Sequence, residues 1–192
     1  MNVIEAKVVF LGSASVGKTC IVNRATSDYF DPEQVSTVGA SFSAKRITTE
    51  KSCVTLRIWD TAGQERYRSL APMYFHAANA VVVVFSLNSI DTLEDAATWV
   101  DELKEHYDEI PLLYLVGNKA DLTDERTVSI EQASDMADKL NASYLETSAK
   151  TGQNINELFE DIAYHIEKAE PSVPVVTPTP LTQRSPSNKG CC

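Results

Sequence analysis

Short apolar runs separated by amphipathic or polar stretches set the rhythm of this chain. Ala6-Lys7-Val8-Val9-Phe10-Leu11 is apolar and rich in β-formers, and reads as a buried strand. Val54-Thr55-Leu56-Arg57-Ile58 alternates strictly, as a half-buried strand does, and its natural partner is residues 41–48 across a turn at Glu50-Lys51. Ala80-Val81-Val82-Val83-Val84-Phe85 and Leu112-Leu113-Tyr114-Leu115-Val116 are continuous apolar runs, the pattern of central parallel strands covered on both faces. Between the runs the spacing turns helical. Ile21, Val22 and Ala25 share one face; Leu93, Ala96, Val100, Leu103 and Tyr107 share another, with Ser89 as N-cap and Pro111 past the end. Ile130, Ala133, Ala137 and Leu140 predict a further helix. Ile155, Leu158, Phe159, Ile162 and Ile166 predict a last one, with Asn154 and Glu157 at capping-box spacing. Strands alternating with helices predict an α/β fold, a mostly parallel sheet with helices on both faces and ligands at the carboxyl ends of its strands.

At Pro171 the periodicity stops. Residues 171–192 hold five of the eight prolines, several Ser and Thr, and only Arg184 and Lys189 as charges, which predicts an extended, disordered tail over 169–192 behind one domain at 1–168. The net charge of −10 excludes a phosphate-neutralising face, so no nucleic-acid partner is expected. Cys20, Cys53, Cys191 and Cys192 form neither a disulfide framework nor a C-x-x-C pair, which suits a reducing compartment. The first residues lack the basic and apolar regions of a signal peptide, and no apolar run approaches the roughly 20 residues of a membrane span.

Candidate chemistry begins at Gly12-Ser13-Ala14-Ser15-Val16-Gly17-Lys18-Thr19, a G-x-x-x-x-G-K-[ST] spacing placed between the first strand and the first helix. There, backbone N–H groups from Ser13 to Cys20 and the helix N-terminus face an anion, Lys18 adds a point charge, and Thr19 offers a hydroxyl to Mg²⁺. Without those flanking elements the same residues would read as a glycine-containing turn. Trp59-Asp60-Thr61-Ala62-Gly63-Gln64-Glu65 ends the alternating strand. Asp60 suits a metal, Gly63 lets a backbone N–H approach a γ-phosphate, and Gln64 can orient water; alone, the stretch is also an ordinary polar turn. Gly117-Asn118-Lys119-Ala120-Asp121 follows an apolar strand, and the carboxylate of Asp121 can accept two bonds from guanine that adenine cannot offer. Glu146-Thr147-Ser148-Ala149-Lys150 can present the Ala149 N–H to the guanine oxygen.

In this order, Gly12 to Thr19, Thr37, Asp60 to Gln64, Asn118 to Asp121 and Ser148 to Lys150 resemble the five guanine-nucleotide boxes of Ras-superfamily GTPases. Residues 58–67 with the terminal Cys191-Cys192 resemble the Rab family, and residues 67–74 with 117–121 are most similar to its early-endosomal branch. The resemblance implies a Ras-like P-loop NTPase domain of three α/β/α layers, with a six-stranded, mostly parallel sheet, one antiparallel strand and about five helices. It implies GTP or GDP bound with Mg²⁺ on Thr19, Thr37 and Asp60, and hydrolysis of GTP by a water placed by Gln64 with Lys18 stabilising charge. Phe30 stands where the family packs an aromatic against guanine, though a core Phe after the first helix is the alternative. Phe42, Trp59 and Tyr74 occupy the positions of the effector-reading aromatic triad; Trp59 could also be a plain strand aromatic. Cys191 and Cys192 match the prenylated pair. The resemblance further implies a monomer served by an exchange factor, a GTPase-activating protein, a GDP-dissociation inhibitor and effectors, on the cytoplasmic face of endosomal or other vesicle membranes and cycling with the cytosol.

Three departures stand out. Ala14-Ser15 replaces a frequent Ser-Gly, and its Cβ is expected to crowd Gln64 and slow turnover. Ser86 replaces a usual Asp, and His76-Ala77 a usual Arg-Gly. His76, His106 and His165 read as surface or helix-face histidines. A non-hydrolysing GTP-binding module and a P-loop kinase or ATPase are the alternatives, the latter opposed by Asn118 to Asp121.

Overall fold

The β-branched and apolar runs do become the sheet. A computed structural model describes residues 2–64 and 71–169 of the protein. In chain order it runs β1 (Asn2–Leu11), α1 (Lys18–Ser27), β2 (Ala40–Thr48), β3 (Ser52–Thr61), α2 (Ala71–Phe75), β4 (Ala80–Ser86), α3 (Ile90–His106), β5 (Leu112–Asn118), α4 (Ile130–Leu140), β6 (Ser143–Glu146) and α5 (Ile155–Ala169). The six strands lie in the order β2-β3-β1-β4-β5-β6, with β2 antiparallel to β3 and every other pair parallel. Parallel neighbours need long crossovers, and helices supply them.

Alternation decides which side each strand residue serves. Val8 and Phe10 of β1 face α1 and α5, where Phe10 stacks on Phe159 with ring centroids 5.8 Å apart. Val9 and Leu11 face the other core, built from α2, α3 and α4. All seven residues of β4 are buried, as its continuous apolar run predicts.

Two helix starts differ from expectation. Asn154 adopts a left-handed backbone (φ 55), which removes it from cap geometry, and its side-chain amide donates to the Glu146 carbonyl instead of capping α5. The capping box belongs to α4, where Ser129 Oγ accepts from the Gln132 N–H and Gln132 Oε1 accepts from the Ser129 N–H. Ile130, expected on the core face of that helix, is exposed at its first helical position. Ser89 does stand at the N-cap of α3, without a side-chain capping bond.

Candidate nucleotide site

Every box expected from the sequence lies at a carboxyl end of the sheet. The loop after β1 turns into α1 at Gly17, whose φ of 99 and close approach to Asn118 admit no side chain: a Cβ there would overlap Asn118 Nδ2. Asn118 is buried and joins three loops. Its Nδ2 donates to the Val16 carbonyl (2.9 Å), while its Oδ1 accepts from Thr147 Oγ1 (3.3 Å) and the Ala149 N–H (3.2 Å). Ala149's donor is therefore already engaged within the protein.

Lys18 is buried, and its Nζ donates to the carbonyls of Gly12 (2.7 Å) and Ser13 (2.8 Å). Burial pulls its pKa down to about 8, with Asp60 opposing the shift. Gly63 sits against the same group; a Cβ on it would overlap Lys18 Nζ and the Ser13 carbonyl, so only glycine lets this segment come so close. Ser13 Oγ in turn donates to Asp95 of α3 (2.8 Å).

Thr19 Oγ1 lies 2.7 Å from both Thr37 Oγ1 and Asp60 Oδ2. Asp60 is buried, and desolvation raises its pKa despite help from Thr19, Lys18 and Ser41. Its Oδ1 has no hydrogen-bond partner. A buried, unpartnered carboxylate oxygen beside two hydroxyls is the donor set of a hard cation.

Two cavities adjoin over this floor. One, about 290 Å³, is lined by Ala14, Ser15, Lys18, Thr19, Thr37, Gly63 and Gln64 among others. The second, about 230 Å³, is lined by Asn118, Lys119, Asp121, Ala149 and Lys150. Gly17, Cys20, Phe30 and Pro32 border both. Phe30 also packs against the edge of the core, as its alternative reading expects. Asp121 Oδ1 accepts from Ser148 Oγ (2.6 Å), and its Oδ2 lies 3.9 Å from Lys150 Nζ.

A chamber floored by the glycine-bounded loop, joined to one walled by the loops of Asn118 to Asp121 and Ala149 to Lys150, agrees with what similar sequences are. The family model described as Ras family matches residues 7–168. The chain belongs to the Ras family. It is 40% identical to Ras-related protein Rab-22A of Homo sapiens, over 100% of both chains. It is 41% identical to Ras-related protein Rab5 of Nicotiana tabacum, over 89% of this chain and 86% of that one. These relatives place it among the Rabs, in the early-endosomal branch. It is thus a Rab-type GTPase, a switch that binds GTP and GDP, hydrolyses one to the other, and acts with regulators and effectors in endosomal membrane traffic. Nothing in the matches favours a kinase, an ATPase or a non-hydrolysing module.

The departures from the Rab pattern now have local meaning. Ser15 holds φ 61 and Ala77 φ 55, left-handed positions that explain why glycine is common at each. Ser86 is buried at the end of β4, where its hydroxyl donates to Asn88 Oδ1. Away from the cavities, Phe42, Trp59 and Tyr74 form one row, with centroids 5.7 Å and 6.0 Å apart. Phe42 is exposed, and the other two are half-buried against the second core. His76 and His106 are exposed, and His165 lies on the face of α5 beside Asp161. Glu65 to Leu70, the tail, Cys191 and Cys192 lie outside the described residues. Among those described, no helix is long and apolar enough to cross a membrane.

Sequence reasoning missed Arg24. Its guanidinium donates to the carbonyls of Ala149 and Lys150, contacts that no local spacing announces.

Proposed function

We propose that the two adjoining cavities hold one GTP or GDP, with the phosphates over Ser13 to Cys20 and the base between Phe30, Lys119 and Asp121. Their shared border at Gly17 and Cys20 carries this reading, because one ligand must span a phosphate nest and a base pocket. Thr19, Thr37 and Asp60 are the residues to hold Mg²⁺, the free Asp60 Oδ1 being the donor without another use. Bound there, the ion would neutralise charge building on the β- and γ-phosphate oxygens.

Gln64 orients the attacking water with its amide, and Lys18 and the loop N–H groups stabilise the charge that develops on the transferred phosphoryl group. None of the described arginines lines either cavity, so fast turnover calls for an activating protein that supplies one. Contacts of Thr37 and Gly63 with the γ-phosphate order their loops, and the Phe42-Trp59-Tyr74 row reports that order to effectors. Thr19→Asn removes a metal hydroxyl. The variant is expected to lose about tenfold in preference for GTP over GDP, and chelating Mg²⁺ should speed its nucleotide release far less than that of the unaltered chain, as followed with a fluorescent nucleotide. An unchanged preference would remove Thr19 from the metal site.

For the membrane, we infer that Cys191 and Cys192 each carry a geranylgeranyl group on the extended tail. Removing the tail's two positive charges from the total of −10 leaves −12 on residues 1–170, so the body cannot hold an anionic bilayer by charge. Arg184 and Lys189 would add only about 1 kcal/mol each. One lipid gives marginal binding and stable anchoring takes two signals, so the second signal is the second lipid. A GDP-dissociation inhibitor that covers both chains would allow cycling with the cytosol. Fractionation should find the double Cys→Ser variant off membranes with GTP binding intact, and either single variant in weak exchange. A double variant that stays on membranes would point to a protein anchor.

A further inference from the structure

We propose that Arg24 is a positioning residue for guanine selectivity, acting from α1 on the loop after β6. Its Nε donates to the Ala149 carbonyl (2.9 Å) and its Nη2 to the Lys150 carbonyl (2.8 Å), while Nη1 donates to the backbone and side-chain oxygens of Asp28 (both 3.0 Å). The side chain is only 18% exposed, against 93% for Asp28, so the pair is not a free surface ion pair. A planar fork meets two successive carbonyls in fixed geometry, which a lysine cannot do.

The loop it grips has no regular structure of its own, and the Ala149 peptide is tied at both ends. Asn118 Oδ1 takes its N–H from inside the protein, and Arg24 takes its carbonyl from outside. Arg24 borders neither cavity, so it reaches the base only through this loop. It also stands on the helix that begins at Lys18, so one rigid element fixes the phosphate floor at its start and the base loop near its end. Placement errors of about 1 Å at such a contact are costly. The inference rests on the reading that the Ala149 N–H meets the C6 oxygen of guanine.

The test uses the full chain with Arg24→Met, which keeps the apolar stem, and Arg24→Lys, which keeps the charge but gathers its donors on a single nitrogen. Binding of GDP is compared with that of 6-thio-GDP, altered only at the C6 oxygen, and of inosine diphosphate, which lacks only the C2 amine that Asp121 reads. Arg24→Met should weaken GDP about tenfold and shrink the preference over 6-thio-GDP by a similar factor, while the preference over inosine diphosphate stays within about twofold; Arg24→Lys should fall between. If both preferences persist, or both fall equally, Arg24 merely supports the fold and the proposal is overturned. If the unaltered chain itself ignores the C6 change, the reading of Ala149 fails and takes this proposal with it. Should Arg24→Met not fold, Arg24→Lys gives the same comparison.

Discussion

Asp121→Asn is expected to raise the Kd for both GDP and GTP at least a hundredfold, about 2.7 kcal/mol of binding free energy. Asp121 is a mostly buried acceptor, its side chain 14% exposed, held by Ser148 Oγ at 2.6 Å and faced by Lys150. In the proposed pose a carboxylate so placed accepts from both the N1–H and the amine of guanine, in charge-assisted bonds roughly twice as strong as neutral ones. An amide keeps one acceptor and turns a donor toward the amine, leaving two donors face to face. The same change should improve binding of a xanthine nucleotide, whose C2 oxygen would accept from the new amide. Titration with fluorescent guanine and xanthine nucleotides reads both effects. Unchanged guanine affinity would show that the base is selected elsewhere.

The second large effect is on turnover. Gln64→Leu should leave nucleotide affinity within about twofold and lower single-turnover hydrolysis at least tenfold, the signature of an interaction made only in the transition state. Leucine has the volume but no group to hold a water. Gln64 and Ser15 line the same cavity, and Ser15 carries a side chain at φ 61, in a loop position where related chains often have glycine. Ser15→Gly should therefore raise intrinsic hydrolysis, and more in the unaltered chain than in Gln64→Leu. A gain of equal size in both would separate the loop from the glutamine and leave the slow-turnover argument without support.

How much of this was legible beforehand depended on whether a residue acts locally. The strands around Val8, Ile58, Val82 and Leu115 followed from period and composition, because burial on one face or two writes itself into the sequence. The phosphate loop was legible because its glycines are bounded by a strand and a helix. Residues whose partners are far along the chain were not. The motif places Asn118 in a box, but its bonds to Val16 and Thr147 cross 102 and 29 residues, and no local pattern carries them. Arg24 reaches 125 residues to Ala149, and Ser13 reaches 82 to Asp95, with the same result. Asn154 misled because a left-handed backbone can take an Asn out of the cap it seems placed to form. By spacing alone Tyr107 is the last residue on the apolar face of its helix. Its hydroxyl in fact donates to the Phe75 carbonyl and accepts from the Ala78 N–H, pinning the end of α2 to α3.

The central claim is that this chain hydrolyses GTP in a site that selects guanine and needs Mg²⁺. One measurement bears on all of it: phosphate release in a single turnover of stoichiometric labelled GTP, with and without a hundredfold excess of unlabelled ATP, and with and without chelator. The account predicts slow, complete conversion to GDP that ATP does not alter and that chelation abolishes. Release that ATP suppresses, or that proceeds unchanged without the metal, would contradict it.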